Sequence, residues 1–282
     1  MISRVVYVNG QFLPEEAATV SIFDRGFLMA DAVYEVSAVV DGKLVDNDGH
    51  LRRLERSLGE LAMPLPLPLA ELVAVEERLI AENHLREGVV YMQVTRGSAD
   101  RDFVYDPAMR PTLVLFTQEK AIIDVPAAQK GLRVMAYPDI RWGRRDIKTT
   151  QLLAQSLAKM AAKAAGFDDA WMVAPDGFVT EGSSNNVWMI KDNTLTTRPA
   201  THDILNGITR QALFTLLQDC GLVLDERPFT IEEAKAADEA LMSAAGSFVL
   251  PVVEIDGVKI GDGKPGKFTR ALREGYIARL RG

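Results

Sequence analysis

Short apolar runs separated by turn pairs open the chain: Arg4 to Val8 precedes Asn9-Gly10, and Val33 to Val40 precedes Asp41-Gly42 and Lys43 to Val45. Asn-Gly and Asp-Gly between alternating apolar segments predict hairpins. Leu51, Leu54, Leu58 and Leu61 recur at helical spacing between His50 and Met63, and after a Pro-Leu-Pro-Leu-Pro break the same pattern returns from Glu71 to Glu82. Two more strands are expected at Val89 to Arg96 and Pro111 to Gln118. Strands, then helices, then strands, without regular βαβ alternation, describe an α+β domain.

Downstream, a strand over Leu132 to Ala136 leads into an arginine-rich segment ending at Lys148, and an alanine-rich helix is expected from Thr150 to Ala165 with Gly166 as its left-handed cap. Strands follow at Trp171 to Ala174, Phe178 to Thr180, Asn186 to Ile190 and Thr194 to Thr196, then a helix from Thr209 to Cys220. Thr230 and Glu233 have capping-box spacing, Glu239 to Met242 resumes as strand, and Phe268 to Leu280 is a final amphipathic helix. The expectation is an α/β (α+β) protein of two domains: a smaller one over 1–118, a linker at 119–130 and a larger one over 131–282.

Composition narrows the function classes. With 282 residues, 48% of them hydrophobic, the chain can bury a sizeable core. A net charge of -7 with scattered Lys and Arg offers no basic face for a phosphate backbone, so nucleic acid is not an expected partner. Cys220 is the only cysteine, which excludes an intrachain disulfide and points to a reducing compartment. No run approaches the roughly 20 apolar residues of a membrane span, and a cytoplasmic protein is expected. His50, His84 and His202 are far apart, so no metal site is expected. The chain has no glycine-rich dinucleotide loop, phosphate loop, zinc-protease helix or serine elbow.

Four clusters carry candidate chemistry, each with a plainer alternative. Lys148 follows Arg144-Arg145-Asp146-Ile147 at a junction of extended segment and helix. Neighbouring cations and partial burial would favour its free amine, the form that makes a Schiff base; the alternative is a solvated basic stretch. In Thr180-Glu181-Gly182-Ser183-Ser184-Asn185-Asn186 a carboxylate could keep a pyridine nitrogen protonated, or the segment is a polar hairpin turn. Asn206-Gly207-Ile208-Thr209-Arg210 at a helix head suits a phosphate or is simply an N-cap. The small turn Ser243-Ala244-Ala245-Gly246-Ser247 admits backbone amides to a phosphate, or is an ordinary tight turn.

Taken in order, Asp24-Arg25-Gly26, Asp31-Ala32-Val33-Tyr34-Glu35-Val36, His50-Leu51-Arg52-Arg53-Leu54, Asp146-Ile147-Lys148, Thr180 to Asn186 and Gly207-Ile208-Thr209-Arg210 resemble the class IV, fold-type IV pyridoxal-phosphate enzymes. The similarity runs from about Tyr7 to the last helix and is nearest to the D-amino-acid transaminase branch. The resemblance implies pyridoxal 5'-phosphate in an interdomain cleft, joined to Lys148 as a Schiff base, with Lys148 also shuttling the substrate proton. It implies Glu181 at the pyridine nitrogen, and Arg53, Ile208, Thr209, Ala244 and Ala245 around the phosphate. Tyr34 would line the substrate side, although a tyrosine in such a strand also serves as packing.

Transfer of an amino group from a D-amino acid such as D-alanine to a 2-oxo acid such as 2-oxoglutarate is implied, by a ping-pong mechanism in a homodimer. The family's substrate-carboxylate motif, Arg-x-His, reads Arg101-Asp102-Phe103 here. Arg101 keeps a bidentate donor for a carboxylate, or is a solvated loop arginine, and Phe103 removes a hydrogen-bond donor. That departure keeps (R)-selective amine transaminase among the alternatives, beside branched-chain L-amino-acid transaminase, aminodeoxychorismate lyase and a non-catalytic cofactor carrier.

Overall fold

The computed structural model describes residues 3–281, which divide into two compact units. The first takes the chain up to Ala121 together with Ile147–Gln151, and the second holds Ile122–Asp146 and everything from Leu152 onward.

In the first unit, β1 (Val5–Val8) and β2 (Gln11–Pro14) form the hairpin expected at Asn9-Gly10, both turn residues having positive φ. A five-residue helix, α1 (Arg25–Met29), is capped by the Asp24 carboxylate, which accepts from Gly26 N at 2.8 Å. Then come β3 (Ala32–Val40), β4 (Lys43–Leu44), α2 (Asn47–Glu60), α3 (Leu69–Glu82), β5 (Glu87–Thr95) and β6 (Thr112–Glu119). The strands make one antiparallel sheet in the order β2-β1-β6-β5-β3-β4. Leu51, Leu54 and Leu58 of α2, and Leu72 and Leu79 of α3, are almost wholly buried. The predicted apolar stripes are thus the faces that cover the core.

The second unit contains α4 (Pro126–Lys130), β7 (Leu132–Pro138), α5 (Leu153–Ala164), β8 (Asp169–Val173), β9 (Val179–Gly182), β10 (Asn186–Lys191), β11 (Thr194–Thr197), α6 (Ile208–Phe214), β12 (Val223–Glu226), α7 (Ile231–Lys235), β13 (Glu239–Ala244), β14 (Phe248–Ile255), β15 (Val258–Lys259) and α8 (Lys267–Arg281). Its mixed sheet runs β12-β11-β10-β13-β14-β7-β8-β9, with β15 beside β14, and curls so that β9 returns next to β10. On β10, Val187 and Met189 join one core cluster with Trp171 and Phe229, while Trp188 and Ile190 join another with Leu213, Leu241 and Leu272. Period-two alternation between two apolar layers buries the strand on both faces. Arg273 of α8 donates to the carbonyls of Ile122 and Ile123 at 2.6 and 2.8 Å, which fixes the start of this unit.

The sequence expectation omits the short elements α1, α4, β12 and β15, and two further departures have a local cause. The helix starting near Thr209 ends at Phe214 rather than Cys220, and its continuation tightens into i to i−3 bonds, Thr215 N to Ala212 O and Leu216 N to Leu213 O. Strand β14 is not foreseen, since Pro251 lies inside it. Pairing with β7 begins only at Val252, so at Pro251 that side of the strand has no ladder bond to lose. No helix among the described residues is long and apolar enough to cross a membrane.

Candidate active site

Lys148 lies on the short segment that the first unit takes from the middle of the chain. Tyr34 N donates to the Lys148 carbonyl at 2.9 Å, Thr150 N donates to Ala32 O at 3.1 Å, and Val33 and Thr149 form a bridge, so the segment runs beside the start of β3. The half-buried Lys148 ammonium sits 4.3 Å from the centre of the Tyr34 ring. That ring stacks on Tyr91, which stacks on Phe116, so Tyr34 is a fixed aromatic wall beside the amine.

Arg53, two turns into α2, lays its fork on the buried Glu35 carboxylate of β3, with Nε to Oε1 at 2.8 Å and Nη2 to Oε2 at 2.7 Å. His50, one helical turn earlier, places Nδ1 2.8 Å from Glu35 Oε2. Burial alone would raise the Glu35 carboxyl, but the Arg53 charge and hydrogen bond, aided by His50, hold it down at about 2. Burial pulls His50 below its ordinary value, with Glu35 opposing and the Arg53 and Lys148 charges assisting. A neutral His50 beside an acceptor-only carboxylate carries its proton on Nδ1 and donates it to Glu35.

Arg101 and Phe103 are exposed, Phe103 at 80%, and the Arg101 guanidinium rests 5.6 Å from that ring. Their loop is held from beneath. Arg25 Nη1 donates to the Asp102 carbonyl at 2.6 Å, Arg96 covers the Tyr105 ring at 3.8 Å, and both arginines share Asp31 Oδ2 at 2.8 Å.

In the second unit Glu181 lies within β9 and is itself buried. Its Oε2 accepts from Arg141 Nη1 at 2.6 Å, and its Oε1 accepts from Asn186 Nδ2 at 2.9 Å and Leu205 N at 3.0 Å. Asn186 Nδ2 also donates to Leu205 O at 2.8 Å, which ties the lead-in to α6 to the carboxylate. A methyl on Gly207 would collide with Asn186 Oδ1, so the small residue at that helix head is required by packing. Ile208 and Thr209 follow as the first, buried residues of α6, and Ser243 pairs with Asn186, which brings the half-buried Ala244 and Ala245 to the same edge. One edge of the second unit therefore gathers a fixed carboxylate, a helix start and a small-residue turn.

Arg144 and Arg145 are ion-paired: Arg144 with Asp146 at 3.0 Å, Arg145 with Asp139 at 3.1 Å and with Asp203 at 3.6 Å. Ser183 and Asn185 donate to the buried Asp169 carboxylate, which also meets Lys159 at 3.1 Å. These polar residues brace the turn after Glu181. A cavity of about 670 Å³ opens between Tyr137, Pro175, Ile231 and Lys235; it takes in Asp139 but neither Glu181 nor Thr209.

The family model Amino-transferase class IV matches residues 32–255. The protein belongs to this family. D-alanine aminotransferases from Staphylococcus epidermidis and Bacillus licheniformis are 38% and 37% identical to the class IV aminotransferase, the first over 96% of both chains and the second over 95% of this chain and 94% of its own. Among solved structures, the T.th. branched-chain amino acid aminotransferase with pyridoxamine 5'-phosphate superimposes with a TM-score of 0.90 at 25% identity, covering 99% of this chain and 94% of that one. The Escherichia coli branched-chain enzyme shares the fold at a TM-score of 0.91 and 21% identity, over 98% of this chain and 94% of that one.

Of the supports of the aminotransferase's candidate residues, Asp139, Arg141 and Asp169 are absent from the sequence reading, and Glu35 enters it only as a member of the Asp31 to Val36 motif. Asp139 and Arg141 did leave a trace: two charges two residues apart, just past the apolar run of β7, share one face of an extended segment. Nothing local couples them to Glu181, 40 residues on.

Proposed function

We propose that this aminotransferase holds pyridoxal 5'-phosphate through Lys148 and moves amino groups between D-amino acids, D-alanine among them, and 2-oxo acids such as 2-oxoglutarate, in a ping-pong cycle. The observation that carries the reading is similarity to D-alanine aminotransferases at 36–38% identity over 96% of the chain. The donor set fits the cofactor: a primary amine against an aromatic wall in one unit, and in the other an immobilised carboxylate tied through Asn186 and Leu205 to a helix start with backbone N–H groups suited to phosphate.

Bound pyridoxal phosphate supplies the electron sink that stabilises the pair left when the substrate Cα–H bond breaks. Lys148, its amine freed once the substrate's amine takes its place, would take the proton from Cα and return one, base and then acid. Glu181 keeps the pyridine nitrogen protonated. Arg53, the amides of Ile208, Thr209, Ala244 and Ala245, and the Thr209 hydroxyl bind the phosphate. Tyr34 lines the substrate side. Arg101 takes the substrate carboxylate, and Phe103, in place of a donor, tolerates apolar substituents. The family resemblance supports a homodimer as the working form.

The test follows absorbance of the bound cofactor as D-alanine, L-leucine or (R)-1-phenylethylamine is added. Bleaching by D-alanine alone supports the proposal, whereas response to L-leucine or to the amine alone moves the function to branched-chain or amine transamination. Lys148→Ala should lower turnover at least about 10³-fold, and borohydride should no longer fix cofactor to the chain; an active variant sinks the lysine assignment.

A further inference from the structure

Arg141 follows β7 and is 8% exposed in its side chain. One corner of its fork donates to Glu181 at 2.6 Å, while Nε and Nη2 donate to the two oxygens of Asp139 at 3.0 and 2.8 Å. The Asp139 side chain is fully buried and also accepts from Thr180 Oγ1 at 2.6 Å and pairs with Arg145 at 3.1 Å. On the outer side Asp203 meets Arg145 at 3.6 Å and Arg198 at 2.8 Å. Two carboxylates, Asp139 and Glu181, and two guanidiniums, Arg141 and Arg145, thus form a neutral buried set.

We infer that Arg141 is a positioning residue that fixes both the orientation and the charge of Glu181, and so decides which partner keeps the proton when that carboxylate meets a pyridine nitrogen. This rests on the proposed placement of Glu181 at the cofactor. A proton shared by a carboxylate and a ring nitrogen has two homes, and a guanidinium on the far oxygen disfavours the carboxylic acid. An arginine does not deprotonate, so the bias is the same at every working pH. Asp139 supplies the rigidity: with two of its three bonding nitrogens spent there, Arg141 cannot swing, and Glu181 is aimed by it. Burial would raise the Asp139 carboxyl, but the Arg141 hydrogen bond and charge, with Thr180, hold it below its ordinary value, so this anchor stays ionised.

A purely structural role, pinning the tail of β7 to β9, makes a different prediction. In the cofactor-loaded protein, Arg141→Gln should move the pH midpoint of the cofactor absorbance by about one unit, weaken cofactor affinity about tenfold and lower kcat at least about tenfold with KM within about threefold. Arg141→Lys should recover most of the midpoint. In a Glu181→Gln background, Arg141→Gln should add no further shift, because the group it acts through is gone. Unchanged midpoint and affinity in a folded Arg141→Gln protein, or an equal shift in both backgrounds, overturns the inference. If Glu181→Gln alone leaves midpoint and affinity untouched, the placement of Glu181 falls instead. Should Arg141→Gln fail to fold, Asp139→Asn loosens the same arginine and should give a smaller shift in the same direction; no shift there also overturns it.

Discussion

The two units solve the same electrostatic problem with the roles exchanged. In the first, a buried carboxylate holds an arginine: Glu35 receives both corners of the Arg53 fork and the His50 N–H, so Arg53 is aimed and Glu35 is spent. In the second, an arginine holds a carboxylate: Arg141 is spent on Asp139 and aims Glu181. In the first unit the carboxylate is the support and the arginine is held; in the second the arginine is the support and the carboxylate is held. A third carboxylate, Glu76 of α3, meets no guanidinium among the described residues. It is 1% exposed and accepts from Asn47 Nδ2 at 2.6 Å, and burial pushes its carboxyl up to about 7, the Asn47 bond opposing and the Glu35 and Glu77 charges adding.

The largest effect is expected at Glu35. Glu35→Ala takes the carboxylate from a buried arginine and should destabilise by about 3–5 kcal/mol, measured by thermal or urea unfolding. An unchanged Tm would break the comparison. The wild-type contribution is held fully above the ordinary carboxylate range, since the folded Glu35 stays ionised down to about 2, and it is lost as pH falls toward that value.

Glu76 runs the other way. Below about pH 4.5 it is protonated both folded and unfolded and has no effect; as pH rises toward 7 the unfolded chain releases the proton that the folded one keeps, and stability falls by up to about 3 kcal/mol. Glu76→Gln, which retains an acceptor for Asn47, should therefore stabilise at pH 8 and be near neutral at pH 4.5. Equal Tm changes at both pH values would deny that this carboxyl is held neutral. The smallest effect should come from Gly207→Ala, whose methyl pushes Asn186 off Glu181. About 1–2 kcal/mol of stability should be lost, with weaker retention of cofactor; a neutral substitution would show that the helix head is not packed against Asn186.

Local signals were legible where local physics decides. Asn9-Gly10 and Asp41-Gly42 specify their hairpins because both positions need positive φ, and Thr230 with Glu233 forms the expected reciprocal cap on α7. The stripe of α2 reports its buried face because helix geometry converts spacing into direction. Pro251 hid β14, because the strand tolerates it only where β7 has not yet begun to pair. Lys148, Arg53 and Glu181 were visible as motif members, while the ion pairs that aim the last two were not, for Glu35 lies 18 residues from Arg53 and Arg141 40 residues from Glu181. The short polar run Ser183 to Asn185 has the composition of a turn, and its partner Asp169 lies a strand away.

The five residues Ile147–Gln151, claimed by the first unit out of the middle of the second, make the chain cross the boundary three times. During synthesis, a ribosome that has released only the chain through Ala121 has made a sheet without the segment that lies beside β3, and Lys148 arrives on a loop that must be stitched in after translation of the second unit has begun. The two units cannot be traded between genes by a single splice, and no one proteolytic cut separates them. The first unit is thereby complete only in a polypeptide that has already begun to build the second.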